Sequence, residues 1–452
     1  MQQLVKLCLL TGLLTGCLYE KHFNPPKTPV RNQWTVSDKH IQQIDAQETP
    51  YLAWWRDFND PTLNRLIEQG VQNNTSLNMS RGHIEEAEGE LKKIRYQWIP
   101  TLDMVTGYSR NPATGFPGVL AVLIPNYTMN FFHQMKEHKR AKYTLAQVKA
   151  EDDALKLTII SQLSAAYFVY LAELERKKLL DRLEQDLVLY AKIADKVYKG
   201  GLSSEIEQQE LFSEASVIQG ELEVAERNIV ISRNAVRYLL NQNPGEVKTE
   251  AHFLRLKNHK IIPGSLPLTV LKNRPDLQMA ENELRASFEG IGLAASELLP
   301  TIQLDLIGGQ AAGDSRYAWP RQKVYFNDQL FKMPLIKMSA LGEIGKAKGL
   351  NKVSYYHYVD VLQKALRDTT NALADHDRYT NKLARTIKAQ QHLAKAYILN
   401  YRLYKSGLQS YVSILNSKIA LDKINIQLNQ DKLQQLLSVV RLYQELAGGY
   451  KV

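Results

Sequence analysis

The chain's 452 residues, 44% hydrophobic and 23% charged, describe an ordered, water-exposed protein long enough for two or three ordinary domains. Its formal net charge of +10 comes from 57 basic residues spread among 47 acidic ones, with a local cluster at Lys136, His138, Lys139, Arg140 and Lys142. A nucleic-acid reader shows a concentrated basic face and a recognisable motif, so these charges read as solvated helix faces and no nucleic-acid partner is expected.

In chain order the first feature is Lys6, an apolar segment from Leu7 to Leu14, and then Thr15-Gly16-Cys17. A short positive region, an apolar stretch too short to span a bilayer and small residues at its end make 1–16 a signal peptide and not a membrane anchor. The ending resembles a bacterial lipobox, which implies that Cys17 becomes the first mature residue and carries lipid on its thiol and amine. The alternative is a buried cysteine in an N-terminal helix. On the lipobox reading Cys8 leaves with the signal and Cys17 is blocked, so no disulfide forms. Several acyl chains hold firmly where one binds reversibly. Residues 17–59 form a polar, lipidated leader containing Pro25, Pro26, Pro29 and Pro50. No later segment reads as apolar for the ~20 residues that a spanning helix needs.

Beyond the leader the chain repeats itself. "LNMSRGHIEEAEGELKKIRYQWIPTLDM" lines up with "LQMAENELRASFEGIGLAASELLPTIQLD", setting Leu77, Met79, Pro100 and Thr101 over Leu277, Met279, Pro300 and Thr301. "VYKGGLSS" returns as "LYKSGLQS", so Tyr198, Lys199, Gly201, Leu202 and Ser204 recur as Tyr404, Lys405, Gly407, Leu408 and Ser410. The expected organisation is a first repeat over 60–245, a linker over 246–266, a second repeat over 267–447 and a tail over 448–452. Each repeat reads helix, strand, loop, strand, very long helix, turn, helix.

Periodicity carries the helices. Leu211, Ala215, Ile218, Leu222, Ala225, Ile229, Ser232, Val236 and Leu239 follow alternating steps of four and three, a heptad seam. From about residue 135 to Tyr198 a seam runs through Leu155, Ile159, Leu163, Tyr170, Leu174, Leu183, Leu187, Tyr190, Ala194 and Val197, uninterrupted by Gly or Pro. At ~1.5 Å per residue that helix is about 100 Å long. Its counterpart, from about residue 337 to Tyr404, is seamed by Leu362, Leu366, Leu373, Leu383, Ile387, Ala394 and Tyr397, with Thr369, His376, Thr380 and Gln390 as polar members. Such helices must lie against similar ones in an extended bundle.

Strands are expected where Gly, Pro and alternation replace the heptads, in hairpins over 101–134 and 301–336. Leu102, Met104 and Thr106 alternate within Thr101 to Ser109, and Ile302, Leu304 and Leu306 within Thr301 to Gly309; the return strands are expected at Tyr127 to Gln134 and Tyr325 to Ile336. Segments of ~10 alternating residues suit a membrane-crossing β-strand, and equally a soluble hairpin pair. Four strands cannot close a barrel, and an open edge is forbidden in a bilayer, so strands that cross a membrane require several chains in one barrel.

"WWRDFNDPTLNRLI", "LKNRPDLQMAE", "ELLPTIQLD" and the ending "SGLQSYVSILNSKIALDKINIQLNQDKLQQLLSVVRLYQELAGGY" resemble the outer membrane factor family, the TolC/OprM-type outer-membrane efflux lipoproteins, over essentially the whole mature chain. The resemblance implies a mainly α fold: a long coiled-coil α-helical barrel plus four transmembrane β-strands per chain, completed as a twelve-stranded barrel in a homotrimer. It implies an exit duct of a tripartite efflux system in the cell outer membrane, with its helical part in the periplasm, partnered by a periplasmic adaptor and an inner-membrane pump of the proton-driven RND type. The lipid on Cys17 is the only attached group expected, and outer-membrane lipid the surrounding medium.

On that resemblance the two repeated turns are adaptor-docking tips, formed by Tyr198, Gly201, Leu202 and Ser204 and by Tyr404, Gly407, Leu408 and Ser410. Gly201 and Gly407 supply positive φ where the chain reverses, a role that ordinary C-cap glycines share. Many relatives carry Asp residues after the second tip; this chain has Ser413 and Asn416 there, and Glu207 and Glu210 at the corresponding places of the first repeat. A ring of hydroxyls and amides binds cations weakly. The expected gate is Ser413, Leu415 and Asn416, closed mainly by Leu415 and nearby hydrogen bonds, with weak divalent-cation block. A second departure is "NFFHQMKEHKRA", where His133 and Gln134 replace a Gly and a base, and Trp319 in a short outer loop from about Gln310 to Arg321 reads as an interface anchor.

No catalytic chemistry is expected. "GEIGKAKG" at 342–349 lacks P-loop spacing, His83 with Glu86 is a solvated i, i+3 pair and no metal site, and "EDD" at 151–153 reads as an exposed patch near a helix start. The competing function is a non-conducting envelope scaffold whose coiled coils bind partners, or a type I secretion duct.

Overall fold

A computed structural model describes residues 42–44, 48–109, 118–201, 205–256, 261–263, 271–313, 322–332, 334 and 336–452. Cys17, Leu202, Ser204 and Trp319 lie outside the described residues. The two halves carry the same elements at nearly the same lengths. In the first, α2 (Thr75–Tyr96, 22 residues) leads to β2 (Thr101–Ser109), β3 (Gly118–Met129), α3 (Phe131–Lys199, 69 residues) and α4 (Glu205–Leu239, 35 residues). In the second, α5 (Pro275–Ser296, 22 residues) leads to β5 (Thr301–Gly313), β6 (Gln322–Lys332), α6 (Met338–Lys405, 68 residues) and α7 (Tyr411–Glu445, 35 residues). Ahead of them are β1 (Gln42–Ile44) and α1 (Pro61–Asn73); β4 (Ile261–Pro263), between the halves, pairs with β1 in parallel.

The chain divides into two compact units, each drawn from both halves. The strand unit comprises 87–146 and 280–359 among the described residues. Its sheet has the order β2-β3-β5-β6, antiparallel throughout, so the two hairpins join through β3 and β5. Among the described residues, β2 and β6 have no partner on their outer edges. Leu102 and Met104 are 64% and 69% exposed, so the sheet carries large apolar side chains that the chain itself leaves uncovered.

The return strands differ from expectation. β3 is Gly118–Met129 and not Tyr127 to Gln134, because Asn130 ends it: its Oδ1 accepts the His133 amide at 3.1 Å and its carbonyl the Gln134 amide at 2.9 Å. That cap starts α3 at Phe131, with Gln134 buried and its Nε2 donating to the Gln97 carbonyl. The early half of β3 is a run of apolar residues, Val119 to Ile124, without the alternation that marks a half-buried strand. Its ladder to β5 skips Ile124 and Pro125, where proline offers no N–H. β6 likewise ends at Lys332, short of Ile336.

The helical unit comprises 42–44, 48–86, 147–279 and 360–452 among the described residues. Asp60 caps α1 by accepting from the Thr62 and Leu63 amides, with Pro61 in the first turn. The other carboxylate oxygen of Asp60 accepts from the Tyr167 hydroxyl at 2.8 Å. The core gathers Trp54, Phe58, Leu63, Leu163, Phe168, Val236, Leu436 and Tyr443, with Trp54 stacked on Tyr443 at 5.0 Å. The α4 seam turns inward as its spacing requires, with Ala225 and Val236 at 0% exposure. Two readings of α3 are corrected. It does hold an 18-residue window apolar enough to span a membrane, but 61% of that window is buried inside the protein, as befits a core helix. "EDD" lies well inside α3 and not at its start, with Asp152 buried beside Lys156 at 2.7 Å and burial raising the Asp153 pKa.

Candidate functional site

Both tips turn on glycine. Gly407, at φ 73°, donates its amide to the Tyr404 carbonyl at 2.9 Å, and Leu408 donates to Leu403 at 2.9 Å. This pair of bonds is a Schellman motif, which satisfies carbonyls that the end of α6 would leave unpaired. Gly201, at φ 75°, repeats the first bond onto Tyr198 at 2.8 Å. A Cβ at either glycine would meet no atom within 4 Å, so backbone conformation alone sets the requirement. Tyr198 and Tyr404 are each 40% exposed; Tyr404 packs on Tyr411 at 5.4 Å, while Leu408 stands out into solvent.

The three expected gate residues part company. Ser410 caps α7, and Ser413 serves that cap, donating its amide to Ser410 Oγ with the two hydroxyls 3.1 Å apart. Asn416 is exposed. Leu415 is 6% exposed within the chain, in an apolar cluster with Leu187, Tyr190, Ala215 and Ile218. Within the chain it therefore packs α7 against its neighbours.

Just beyond the cap is a charge cluster that the sequence reading missed. Lys418 Nζ contacts Asp422 at 2.7 Å and Asp186 of α3 at 3.1 Å. Burial raises the Asp422 carboxyl, against the pull of Lys418, while the two carboxylates keep the Lys418 amine raised despite its own burial. Lys423 pairs with Glu214, so α7 is tied by ion pairs to both α3 and α4. The signal was present as the i, i+4 spacing of Lys418 and Asp422; what sequence could not supply was Asp186.

The seam between α6 and α7 is apolar where Ala372 and Leu373 pack with Leu442, and polar from there toward the tip. Asp431, 2% exposed, accepts from Lys382 at 2.7 Å, Thr386 at 2.7 Å and Gln427 at 2.8 Å. Gln390 reaches Asn425, and Arg441 reaches Asp375. Burial lowers the pKa of Lys432, the residue after Asp431 on α7, to about 8. Farther up, Arg274 of the "NRPDL" segment is gripped by Asp276 at 2.8 Å and Glu445 at 2.7 Å.

Among the described residues no group of His, Cys, Asp and Glu is arranged to hold a metal ion. His83 and Glu86 sit exposed at 3.5 Å on α2, and 342–349 is helical within α6.

Residues 266–448 match the outer membrane efflux protein family. The chain is 24% identical to the solvent efflux pump outer membrane protein SrpC of Pseudomonas putida over 97% of both chains, and shows the same figures for the toluene efflux pump outer membrane protein TtgI of Pseudomonas putida. Its fold is similar to the open-state MtrE outer membrane channel of Neisseria gonorrhoeae, with a TM-score of 0.81 at 20% identity over 95% of this chain and 98% of that one.

Proposed function

We propose, from this chain's similarity to outer membrane efflux proteins, that it is the exit duct of a tripartite efflux system, passing small molecules outward through the cell outer membrane. It is a channel of that membrane with its helical part in the periplasm. The observation that carries the reading is the four-stranded sheet, which exposes Leu102, Met104, Val105 and Leu123 and, among the described residues, is unpaired at both edges. Such edges cannot rest in a bilayer, and three chains placing β6 beside β2 of the next would close twelve strands with none left open. A scaffold has no use for this sheet. Cys17, lipidated, adds a second anchor.

The finer assignments are proposals as well. The tips at Tyr198, Gly201, Leu202 and Ser204 and at Tyr404, Gly407, Leu408 and Ser410 dock a periplasmic adaptor, which couples the duct to an inner-membrane RND-type pump. The second hairpin, α6 with α7, is the gate. Its closure rests on the Lys418 ties to Asp186 and Asp422, with Ser413 and Asn416 offering no carboxylate ring. No step of catalysis is assigned to the chain; transport is driven elsewhere.

The test is migration of the detergent-extracted protein with and without boiling. A trimer band that collapses to 51.6 kDa or less on heating is expected, and deletion of 101–129 should abolish it. A monomer that stays in solution without detergent after removal of the lipid would overturn the reading.

A further inference from the structure

The helix-side ends of the two strand hairpins differ in charge and in aromatic content. The ten residues before Thr101, "LKKIRYQWIP", hold three basic residues and no acid, and the ten after Met129, "NFFHQMKEHK", hold two basic residues and one acid. The corresponding stretch before Thr301 has Glu297 alone, and after Lys332 has Lys337, which neutralises Glu297 at 2.8 Å. The foot of the second hairpin is therefore charge-balanced. At the first, Lys93 pairs with Glu90 and Lys136 with Glu289, but Lys92, Arg95 and Arg140 make no ion pair among the described residues.

Aromatic rings stand among these cations. Trp98 and Phe131 meet edge to face at 5.7 Å across the two ends of the hairpin, 37% and 52% exposed. Tyr96, also exposed, has the Lys92 ammonium 5.6 Å over its ring. The Trp98 and Ile99 amides fold back onto the Arg95 and Tyr96 carbonyls, so these side chains sit at the joint where helix becomes strand. Trp and Tyr with a polar tip and an apolar body favour the headgroup level of a membrane. Basic residues beside them attract anionic lipid.

We propose that the helix-side foot of the first hairpin is a docking surface for anionic phospholipid headgroups, held by Lys92, Arg95 and Arg140 around Trp98 and Phe131. The proposal rests on the reading that these strands cross a bilayer. It fits the charge surplus at this foot and its absence at the other, since phosphates supply the anions that the first foot lacks and Glu297 supplies at the second. Polar headgroups add roughly 5–8 Å beyond each face of the hydrocarbon. Arg95, in the last turn of α2, falls in that layer, and Arg140, about 14 Å along α3 from Phe131, reaches toward it with a long side chain.

The test uses the full-length protein in vesicles, with Trp34→Phe and Trp319→Phe leaving Trp98 as the reporter beside Trp54 and Trp55, which are buried in the helical unit. Quenching by brominated phosphatidylglycerol is compared with quenching by brominated phosphatidylcholine at equal mole fraction. Preference for the anionic lipid should be at least about fivefold, the effect of one basic residue near a membrane surface. It should fall toward unity in the Lys92→Gln, Arg95→Gln, Arg140→Gln triple variant and persist in Lys337→Gln. Equal quenching by both lipids, or a preference that survives the triple variant, overturns the proposal while leaving the channel intact. If neither lipid quenches, Trp98 is not at a bilayer, and the membrane-crossing reading fails with it.

Discussion

The two long hairpins of the helical unit, α3 with α4 and α6 with α7, share their lengths and differ in what fills their seams. The first is closed by Leu180, Leu183, Leu187, Tyr190, Ala215, Ile218 and Ala225, all buried. In the second, no residue of α6 from Asp377 to Lys405 is buried in the chain, and α7 meets it through Asp431, which takes Lys382 and Thr386, and through Asn425, which takes Gln390. An apolar seam loses contact energy continuously over its area as it separates. Polar pairs can exchange protein partners for water, so their net contribution is about 1 kcal/mol each. Duplication has thus given one hairpin that resists opening and one that water can help to open.

The largest effect should come from cutting the apolar seam. Leu187→Ala, at a position with 0% exposure, should cost about 3 kcal/mol of helical-unit stability, read by denaturant unfolding followed through circular dichroism. Leu383→Ala, at the half-buried equivalent face of α6, should cost about 1 kcal/mol. Equal costs would erase the distinction.

Lys432 offers the opposite sign. Its folded pKa of about 8 lies below the unfolded lysine value, so the unfolded state binds more protons between pH 8 and 10 and stability rises across that window. Below pH 8 the full penalty of charging the buried amine is present. Lys432→Met should therefore stabilise by about 2 kcal/mol at pH 7, with the advantage shrinking toward pH 10. A variant no more stable than the parent at pH 7 would show that water already solvates the amine. Above pH 10 the buried tyrosines work the other way: burial raises Tyr443, and pushes Tyr450 up to about 12, so stability falls as their unfolded counterparts ionise first.

Asp431→Asn removes the charge that three donors share and should cost about 1.5 kcal/mol, seen as earlier proteolysis of the second hairpin with the first unaffected. Smallest, and equal by symmetry, should be Gly201→Ala and Gly407→Ala, about 1 kcal/mol each in thermal unfolding, because both clash only with their own backbone conformation. A large difference between them would mean that the tips are not equivalent.

How far the sequence could be read follows the range of each interaction. The heptads of α4 and the doubled "GL" turns are local patterns, and they announced the helices and both positive-φ glycines. β3 lies earlier than alternation predicts because Val119 to Ile124 is an unbroken apolar run that mimics other elements, and because Asn130 caps the helix that follows. Leu415 illustrates a different limit. A single leucine after a tip has no periodic label saying which side of the helix it takes, and only the packing of Leu187 and Tyr190 against it decides. Asp186 and Lys418 are 232 positions apart, and no local spacing links them.

The most direct test of a gated duct is planar-bilayer recording of the purified, lipid-bearing protein beside its Lys418→Ala variant, in which the tie from α7 to α3 is cut. Small conductance steps are expected in the parent, weakly affected by divalent cations, and larger or longer openings in the variant. Bilayers that stay silent with both proteins, despite confirmed insertion, would contradict a gated duct.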